Sequence, residues 1–210
     1  MSAVAHQPVI LLLAAGEGAR FGGIKQLAPV DGEPMIRRCA RQALACGVPV
    51  LALLGAHADA VAPVLADLPL DVHVHPGWSQ GMGDSLAAGV REVQARHPCT
   101  SGVLVTLADQ PRIGLRLLPA LLQAHARSPR RIIATALDGR AGPPALFPRD
   151  DFAALAALTG AHGARGLLQR EADRVTRLDP RDHDADLLDI DTPDDLVLAT
   201  RPSANATARP

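Results

Sequence analysis

Residues 9–25 read Val9-Ile10-Leu11-Leu12-Leu13-Ala14-Ala15-Gly16-Glu17-Gly18-Ala19-Arg20-Phe21-Gly22-Gly23-Ile24-Lys25. The first six residues are apolar and predict a buried strand over Val9–Ala14, and the glycine-rich continuation predicts a loop over Ala15–Gly22. The backbone amides of such a loop can face phosphate oxygens, and Arg20 and Lys25, the only lysine in the chain, add positive charge. The segment therefore predicts a phosphate-binding loop, with a mobile surface loop as the alternative interpretation.

Two familiar phosphate-binding motifs do not fit this segment. A dinucleotide fingerprint needs a third glycine where Phe21 stands. It also needs an acidic residue near the end of the second strand, where the sequence reads Leu53-Leu54-Gly55-Ala56. A Walker A loop needs serine or threonine directly after its lysine, but Gln26 follows Lys25. The sequence therefore favours a glycine-rich phosphate loop of another class.

The rest of the chain alternates apolar runs with amphipathic stretches that are joined by short turns. This βαβα alternation predicts an α/β fold with a mostly parallel sheet and helices on both faces. Pro143–Phe147 is predicted to be an edge strand, because prolines lack the N–H that a central strand donates. Residues 1–200 are predicted to form a single domain, and residues 201–210 a disordered tail. The other predicted strands are Val48–Leu54, Leu70–His75, Ser101–Leu107, Arg131–Ala136 and Val175–Leu178, and the predicted helices are Pro34–Cys46, Asp59–Ala66, Asp84–Arg96, Leu115–Arg127, Phe152–Leu158, Ala164–Arg170 and Pro193–Thr200.

Composition and charge argue against several classes of protein. The formal net charge of the 210 residues is −1, which gives no general attraction to nucleic acid or to an anionic membrane. Cys39, Cys46 and Cys99 are odd in number and lack CxxC spacing, so neither a disulfide framework nor a zinc site is expected. The apolar run Val9–Ala15 is too short to span a bilayer and lacks the basic residues that begin a signal peptide. We therefore expect a reduced, cytoplasmic protein with no nucleic-acid or membrane partner.

Two groups of aspartates follow apolar segments in the second half of the chain. Asp109 ends a predicted strand, and open parallel sheets bind ligands beyond the carboxyl ends of their strands, although a turn aspartate is the alternative interpretation. Asp189 and Asp191 end another apolar segment, and at strand spacing their carboxylates share one face and suit a hard cation. The residues that follow are typical of helix initiation, with Thr192 as the N-cap and Pro193 as the first helical residue.

The run from Leu13 to Lys25 resembles the signature of the MobA-like nucleotidyltransferases. Its Ala14-Ala15-Gly16 form is most similar to the molybdenum cofactor cytidylyltransferase branch of that family. Further segments resemble the family in the same order over residues 9–199, and this order is more specific than any single motif. These segments are His75–Leu86, Asp109–Pro111, Gly142–Phe147, His162–Leu168 and Asp189–Leu196.

The resemblance implies a Rossmann-like nucleotidyltransferase fold and a reaction that transfers CMP from CTP to a phosphorylated acceptor of the molybdopterin type, releasing pyrophosphate. It implies Mg²⁺ as the cofactor, with Asp109 and Asp191 as its ligands and Asp189 as a secondary candidate. Catalytic roles are expected for Lys25, Arg20 and Asp109. The residues expected to bind the nucleotide are Leu13, Ala14, Ala15, Gly16, Gly18, Arg20, Lys25, Gly81 and Ser85.

Some positions depart from the family pattern, and other functions stay open. His75 replaces an asparagine, and Asp84 stands where serine is common, with a plain helix N-cap as its alternative role. Pro143 replaces a hydrogen-bonding side chain in the half where the acceptor is expected. Trp78 is interpreted either as a wall of the nucleotide pocket or as part of the core. The alternative functions are a guanylyl or sugar-phosphate nucleotidyltransferase, and a non-catalytic chaperone of the molybdenum cofactor that serves a molybdenum hydroxylase.

Overall fold

The computed structural model describes residues 6–199, and the tail predicted at 201–210 lies outside them. The strands are β1 (Val9–Ala14), β2 (Pro29–Val30), β3 (Glu33–Pro34), β4 (Val50–Leu54), β5 (Asp71–Val74), β6 (Gly102–Leu107), β7 (Ile132–Leu137), β8 (Arg140–Pro148) and β9 (Val175–Leu178). Seven of them form one sheet in the order β5-β4-β1-β6-β8-β7-β9, and β2 pairs with β3. Neighbours in the large sheet are parallel except where β8 pairs with β6 and β7. The predicted mostly parallel sheet is confirmed.

Helices cover both faces of this sheet, as predicted. They are α1 (Met35–Leu44), α2 (Ala58–Val61), α3 (Met82–Arg96), α4 (Leu117–Arg127), α5 (Phe152–Ala156), α6 (Arg165–Arg170) and α7 (Pro193–Ala199). Val9 and Leu11 of β1 pack in the cluster that contains α3, α5 and α6, whereas Ile10 and Leu12 pack toward α1, α2 and α4. A strand buried on both faces needs an apolar residue at every position, which explains the unbroken run in β1. No helix within residues 6–199 is both long and apolar enough to cross a lipid bilayer.

The prediction that Pro143–Phe147 forms an edge strand is wrong. The segment belongs to β8, which lies inside the sheet between β6 and β7. Its pairing with β6 stops at Ala145, before the two prolines are reached. On the other side, the register with β7 shifts between Ala134 and Thr135, which pair with Ala145 and Gly142, so the two prolines are the unpaired extra residues of a bulge in β8. Both prolines therefore lie where the sheet requires no N–H donor, so they are tolerated in an interior strand.

The carboxyl ends of β1 and β6 lie side by side and position the glycine-rich loop. Leu13 is opposite Leu107 in the register, and the amide of Ala108 donates a hydrogen bond to the carbonyl of Leu13 at 3.0 Å. The chain leaves β1 into the loop at Ala15 and leaves β6 toward Asp109. The loop and Asp109 are therefore neighbours at this end of the sheet, as expected for an open parallel sheet.

Asp191 does not end a strand, contrary to the prediction. Residues 185–191 are irregular chain that pairs with no strand. The amide of Ile190 donates to the carbonyl of Asp109 at 2.9 Å, and its side chain is buried beside Met35 and Val30. One backbone hydrogen bond and one apolar anchor therefore bring Asp191 to Asp109, and an alternating pattern alone does not distinguish this arrangement from a paired strand.

His125 on α4 gives the fold a pH-dependent component. Its side chain is 3% exposed, and neither ring nitrogen has a hydrogen-bond partner within the described residues. Burial lowers the pKa of His125 in the folded protein. As the pH falls below about 6.5, the unfolded chain is protonated at this histidine before the folded chain is, so we expect the free energy of unfolding to decrease. The decrease should stop once the pH is below the folded pKa. His125→Leu should remove up to about 1.4 kcal/mol of this loss per pH unit. Denaturant unfolding at about pH 7.5 and about pH 5.5 measures the difference, and an unchanged pH dependence in the variant would contradict it.

Candidate functional site

A cleft of about 280 Å³ opens at the carboxyl end of β1. It contains all the sequence-predicted site residues except Arg20, Asp191 and the secondary candidate Asp189, which lie outside its lining. The glycine-rich loop forms one side and the start of α3 the other, with Asp109 at the end of β6 between them. The predicted residues in its lining are Leu13, Ala14, Ala15, Gly16, Gly18, Lys25, Gly81, Ser85 and Asp109.

The glycine-rich loop is held by Gln26, a residue whose role the sequence did not indicate. Its side chain is 3% exposed, and its Nε2 donates to the carbonyls of Ala14 at 3.2 Å and Gly16 at 2.7 Å. Gly18 and Gly22 both adopt left-handed backbone angles, with φ of 68° and 74°, which few other residues tolerate. These contacts fix the loop, and no local sequence pattern indicates the contacts of Gln26, because they depend on the fold.

The two residues that follow β4, Gly55 and Ala56, pack against the start of the glycine-rich loop at Ala15. A Cβ atom at Gly55 would lie 2.5 Å from both the Ala15 carbonyl oxygen and the Trp78 Cβ, so a side chain is excluded there. The amide of Ala56 donates to that same carbonyl at 3.0 Å. Trp78 both lines the cleft and packs against the core cluster beneath it, so the two interpretations of this residue each hold in part. Gly55 therefore sets how closely Ala15 approaches the tryptophan.

Lys25 joins the two aspartates that are distant in sequence. Its Nζ lies 2.8 Å from Asp109 Oδ2 and 3.1 Å from Asp191 Oδ1, and its side chain is only 12% exposed. Burial lowers the pKa of Lys25, but the two carboxylates outweigh burial and leave the pKa above its ordinary value. Arg20 reaches the same group from outside, with Nη2 at 2.8 Å from Asp191 Oδ2 and a side chain that is 75% exposed. Arg20 and Asp191 thus form the rim of the cleft.

The oxygen atoms around Lys25 are suited to a divalent cation. Asp109 Oδ1 is buried and has no hydrogen-bond partner among residues 6–199, and carboxylate oxygens are the ligands that Mg²⁺ prefers. Asp189 lies close by and accepts a hydrogen bond from Gln110 Nε2 at 2.9 Å. Burial, followed by the charges of Asp109 and Asp191, raises the pKa of Asp189. Within residues 6–199 no group of three or more His, Cys, Asp or Glu side chains could hold a metal ion, so further ligands would come from phosphate oxygens and water.

The start of α7 accounts for the rest of the acidic segment. Thr192 Oγ1 and its amide both contact Asp195 Oδ2 at 2.8 Å, and the Asp195 amide donates back to Thr192 Oγ1 at 3.3 Å. This reciprocal arrangement is a capping box, and it confirms the predicted helix initiation with Pro193 as the first helical residue. The hydrogen bonds from Thr192 lower the pKa of Asp195. The carboxylate of Asp195 therefore serves the start of the helix, whereas that of Asp191 contacts Lys25 and Arg20.

A second cavity of about 760 Å³ adjoins the cleft. The two share Leu13, Met82 and Leu107 in their linings. The floor of the second cavity is apolar, and the guanidinium groups of three arginines in its lining have no hydrogen bond or ion pair within the described residues. These are Arg140, Arg165 and Arg177, of which only Arg165 lies in a segment, His162–Leu168, that resembles the family. Pro143 is part of the same lining.

Residues 10–175 match the family model of the MobA-like NTP transferase domain. The chain belongs to this family. The transferase is 33% identical over 192 residues to the nicotine blue oxidoreductase of Paenarthrobacter nicotinovorans, and the match covers 87% of this chain and 91% of that relative. It is 28% identical over 200 residues to the purine catabolism protein PucB of Bacillus subtilis strain 168, with coverage of 91% and 95%.

Solved structures of similar proteins have the same fold as the transferase. Rv0371c from Mycobacterium tuberculosis H37Rv matches with a TM-score of 0.75 at 28% identity, over 94% of this chain and 99% of that one. A complex of Rv0371c with manganese matches with a TM-score of 0.69 at 27% identity, over 92% and 98% of the two chains. The fold expected from the resemblance of Leu13–Lys25 to this family is therefore confirmed.

Proposed function

We propose that the transferase moves CMP from CTP to a phosphorylated acceptor, with Mg²⁺ as cofactor and a pterin of the molybdopterin type as the acceptor. The observation that carries the proposal is the contact of Lys25 Nζ with both Asp109 and Asp191 at the mouth of the glycine-loop cleft. This contact supports the proposal, because a compact positive charge and two carboxylates of the kind that bind Mg²⁺ lie beside a loop whose amides could meet a triphosphate.

The reaction requires alignment of two anions more than it requires a strong base. An oxygen of the acceptor phosphate, which is already ionised, attacks the α-phosphorus of CTP. The bond from that phosphorus to the bridging oxygen breaks, and pyrophosphate leaves with the electron pair. Lys25 and Arg20 offset the charge that grows on the transferring group, and the loop amides of residues 15–22 orient the phosphates.

The residues at the mouth of the cleft suit a bound divalent ion. The unpartnered, buried Asp109 Oδ1 would be one ligand and the Asp191 carboxylate another. When bound, Mg²⁺ reduces repulsion between the phosphates and the incoming anion. The manganese complex of Rv0371c supports a divalent ion in this family.

The second cavity is the proposed acceptor site. It adjoins the cleft through Leu13, Met82 and Leu107, so an acceptor there would lie next to the nucleotide. Its apolar floor suits a flat ring system, and guanidinium groups bind phosphate in a bidentate manner. The unpaired arginines of this cavity therefore support an acceptor that carries phosphate on a heterocyclic body.

We expect the transferase to bind CTP more tightly than GTP. Ala15 is 5% exposed in the cleft wall, and its close contact with Gly55 fixes its position. Guanylyl relatives carry glycine here, so the methyl group of Ala15 narrows the space beside the base. Ala15→Gly should reduce the CTP:GTP affinity ratio about tenfold, because one methylene equivalent in a tight pocket is worth a factor of that order. Ala56→Gly, equally buried but outside the cleft lining, is the matched control. Competition binding decides the matter, and tighter binding of GTP by the wild type would overturn it.

Two measurements separate this proposal from its rivals. Thermal-shift screening of the nucleoside triphosphates with Mg²⁺ identifies the nucleotide, since a ligand that binds only the folded state raises the melting temperature. Pyrophosphate release from CTP with a phosphorylated pterin then tests the transfer. Release from GTP, or with a sugar phosphate, would favour the other nucleotidyltransferases. Pterin binding without release would favour a non-catalytic chaperone for a molybdenum hydroxylase, and oxidation or reduction of nicotine blue would favour the activity named for the Paenarthrobacter relative.

A further inference from the structure

The amino end of α3 forms part of both the cleft and the second cavity. Gly81 and Ser85 line the cleft, and Leu86 lines the cavity. Met82, half exposed, lines both. The first turn of this helix is therefore a wall that the cleft and the second cavity share. Any movement of this turn would change the shape of both.

A loop from the far half of the chain, residues 159–163, packs directly against this first turn. A Cβ at Gly81 would lie 2.5 Å from the Gly160 carbonyl oxygen, and one at Gly83 would lie 2.6 Å from the Thr159 carbonyl oxygen. Backbone therefore meets backbone with no room for a side chain on either glycine. The amide of Gly83 donates to the Gly160 carbonyl at 2.8 Å, which adds a hydrogen bond to the contact.

Asp84 supplies the polar contact from the side chain. Helix α3 begins at Met82, so Asp84 lies in the first turn and is not the N-cap, which is Gly81. Its Oδ2 accepts a hydrogen bond from the Gly160 amide at 2.5 Å, across to the opposite loop. A hydrogen bond to an ionised acceptor is among the stronger ones in proteins. The carboxylate therefore joins two segments that are far apart in sequence.

The same loop continues into the wall of the second cavity. Gly163 and Arg165 are part of its lining, and a Cβ at Gly163 would lie 3.1 Å from Met82 Sδ. Arg165 is the first residue of α6 and follows Gly160 by only a few residues. The position of the loop therefore sets the position of the Arg165 backbone, from which the guanidinium extends. The hydrogen bond of Asp84 to this loop therefore affects the position of Gly163 and Arg165, which line the proposed acceptor site.

We propose that Asp84 is a positioning residue that fastens the 159–163 loop to the first turn of α3 and thereby couples the cleft to the second cavity. The identity of the two ligands rests on the proposed function, but the fastening itself does not. A nucleotide in the cleft contacts the first turn of α3, and through Asp84 it restrains the loop on the acceptor side. The departure from serine at this position supplies the length that the contact needs.

Hydrogen–deuterium exchange of the full chain, followed by mass spectrometry, tests the proposal. In the protein without nucleotide, Asp84→Ala should speed exchange at Gly160 about tenfold, the effect of losing one net hydrogen bond. In the wild type, CTP with Mg²⁺ should slow exchange in both 13–25 and 159–163. In Asp84→Ala the protection of 13–25 should persist and that of 159–163 should be lost. Asp84→Asn keeps an acceptor oxygen and should retain the protection of 159–163. Asp84→Ser has a side chain that is too short for this contact and should not retain it.

The controls separate failure of the coupling from failure of the proposed function. Asp59→Ala removes a first-turn aspartate of α2 that has no hydrogen bond or ion pair within the described residues, and it should leave both segments unchanged. If no nucleoside triphosphate protects 13–25, the proposed function fails, and the comparison without nucleotide still decides the fastening. Equal exchange at Gly160 in the wild type and in both Asp84→Ala and Asp84→Ser overturns the proposal. Nucleotide protection confined to 13–25 in the wild type overturns it as well.

Discussion

Lys25→Ala is expected to lower the rate of nucleotidyl transfer about 10²–10³-fold, the usual cost of removing one charge-stabilising contact from a desolvated site. The side chain of Lys25 is mostly buried, and its charge is held by Asp109 and Asp191. No other lysine exists in the chain to take its place. Single-turnover pyrophosphate release from CTP measures the loss.

A second variant separates the charge of Lys25 from its packing. The Cβ of Lys25 lies close to Gly18, so its aliphatic stem supports the loop as well as carrying the ammonium. Lys25→Met keeps the stem and removes the charge, and it should be nearly as slow as Lys25→Ala. Circular dichroism should show both variants folded. Near-normal transfer by either folded variant would remove Lys25 from the reaction.

Asp109→Asn and Asp191→Asn are each expected to raise the Mg²⁺ concentration needed for half-maximal transfer and to lower the maximal rate, by about tenfold or more. Both carboxylates contact Lys25 Nζ, so they lie close enough together to bind the same ion. The double variant should be little slower than the slower single variant, because residues that act as one unit are not additive. Transfer rates titrated with Mg²⁺ across the four proteins give this comparison.

The control for the aspartate series lies three residues from Asp191. Asp194 is in the first turn of α7 and has no hydrogen bond or ion pair within residues 6–199, so Asp194→Asn should leave the Mg²⁺ requirement unchanged. Losing either partner also exposes Lys25 to the cost of an unpaired, partly buried charge, so melting temperatures should be recorded beside the rates. Strictly multiplicative losses in the double variant would mean that Asp109 and Asp191 act separately.

The part of the site that follows β1 could be predicted from sequence because its chemistry is local. An apolar run, a glycine-rich loop and a cation lie within residues 9–25, and each has a direct structural counterpart. Asp109 was placed correctly because strands of a parallel sheet end on the same side. The juxtaposition of Asp191 was expected for the wrong reason, since it depends on one backbone hydrogen bond from Ile190 and not on strand pairing.

Other features depend on contacts that no local pattern contains. Gln26 reads as an ordinary polar residue until its two carbonyl partners are known. The unpaired arginines of the second cavity come from three separate elements and meet only in the fold. The interior position of β8 contradicts the usual meaning of its prolines, because Pro143 and Pro144 are the extra residues of a bulge in β8 that only its register with β7 reveals.

The position of β1 also has a consequence for the order in which the chain folds. Ile10 pairs with Val50 on one side and with Leu104 on the other, whereas β7 and β8 are joined by a tight turn. Closing a large loop is slower than closing a short one, so the hairpin of β7 and β8 should form before β1 and β6 meet. During synthesis the first strand must wait until residue 104 has left the ribosome before it gains its second neighbour. The cleft depends on that pairing, so when the full-length chain refolds from the unfolded state, the hairpin of β7 and β8 should form before the cleft.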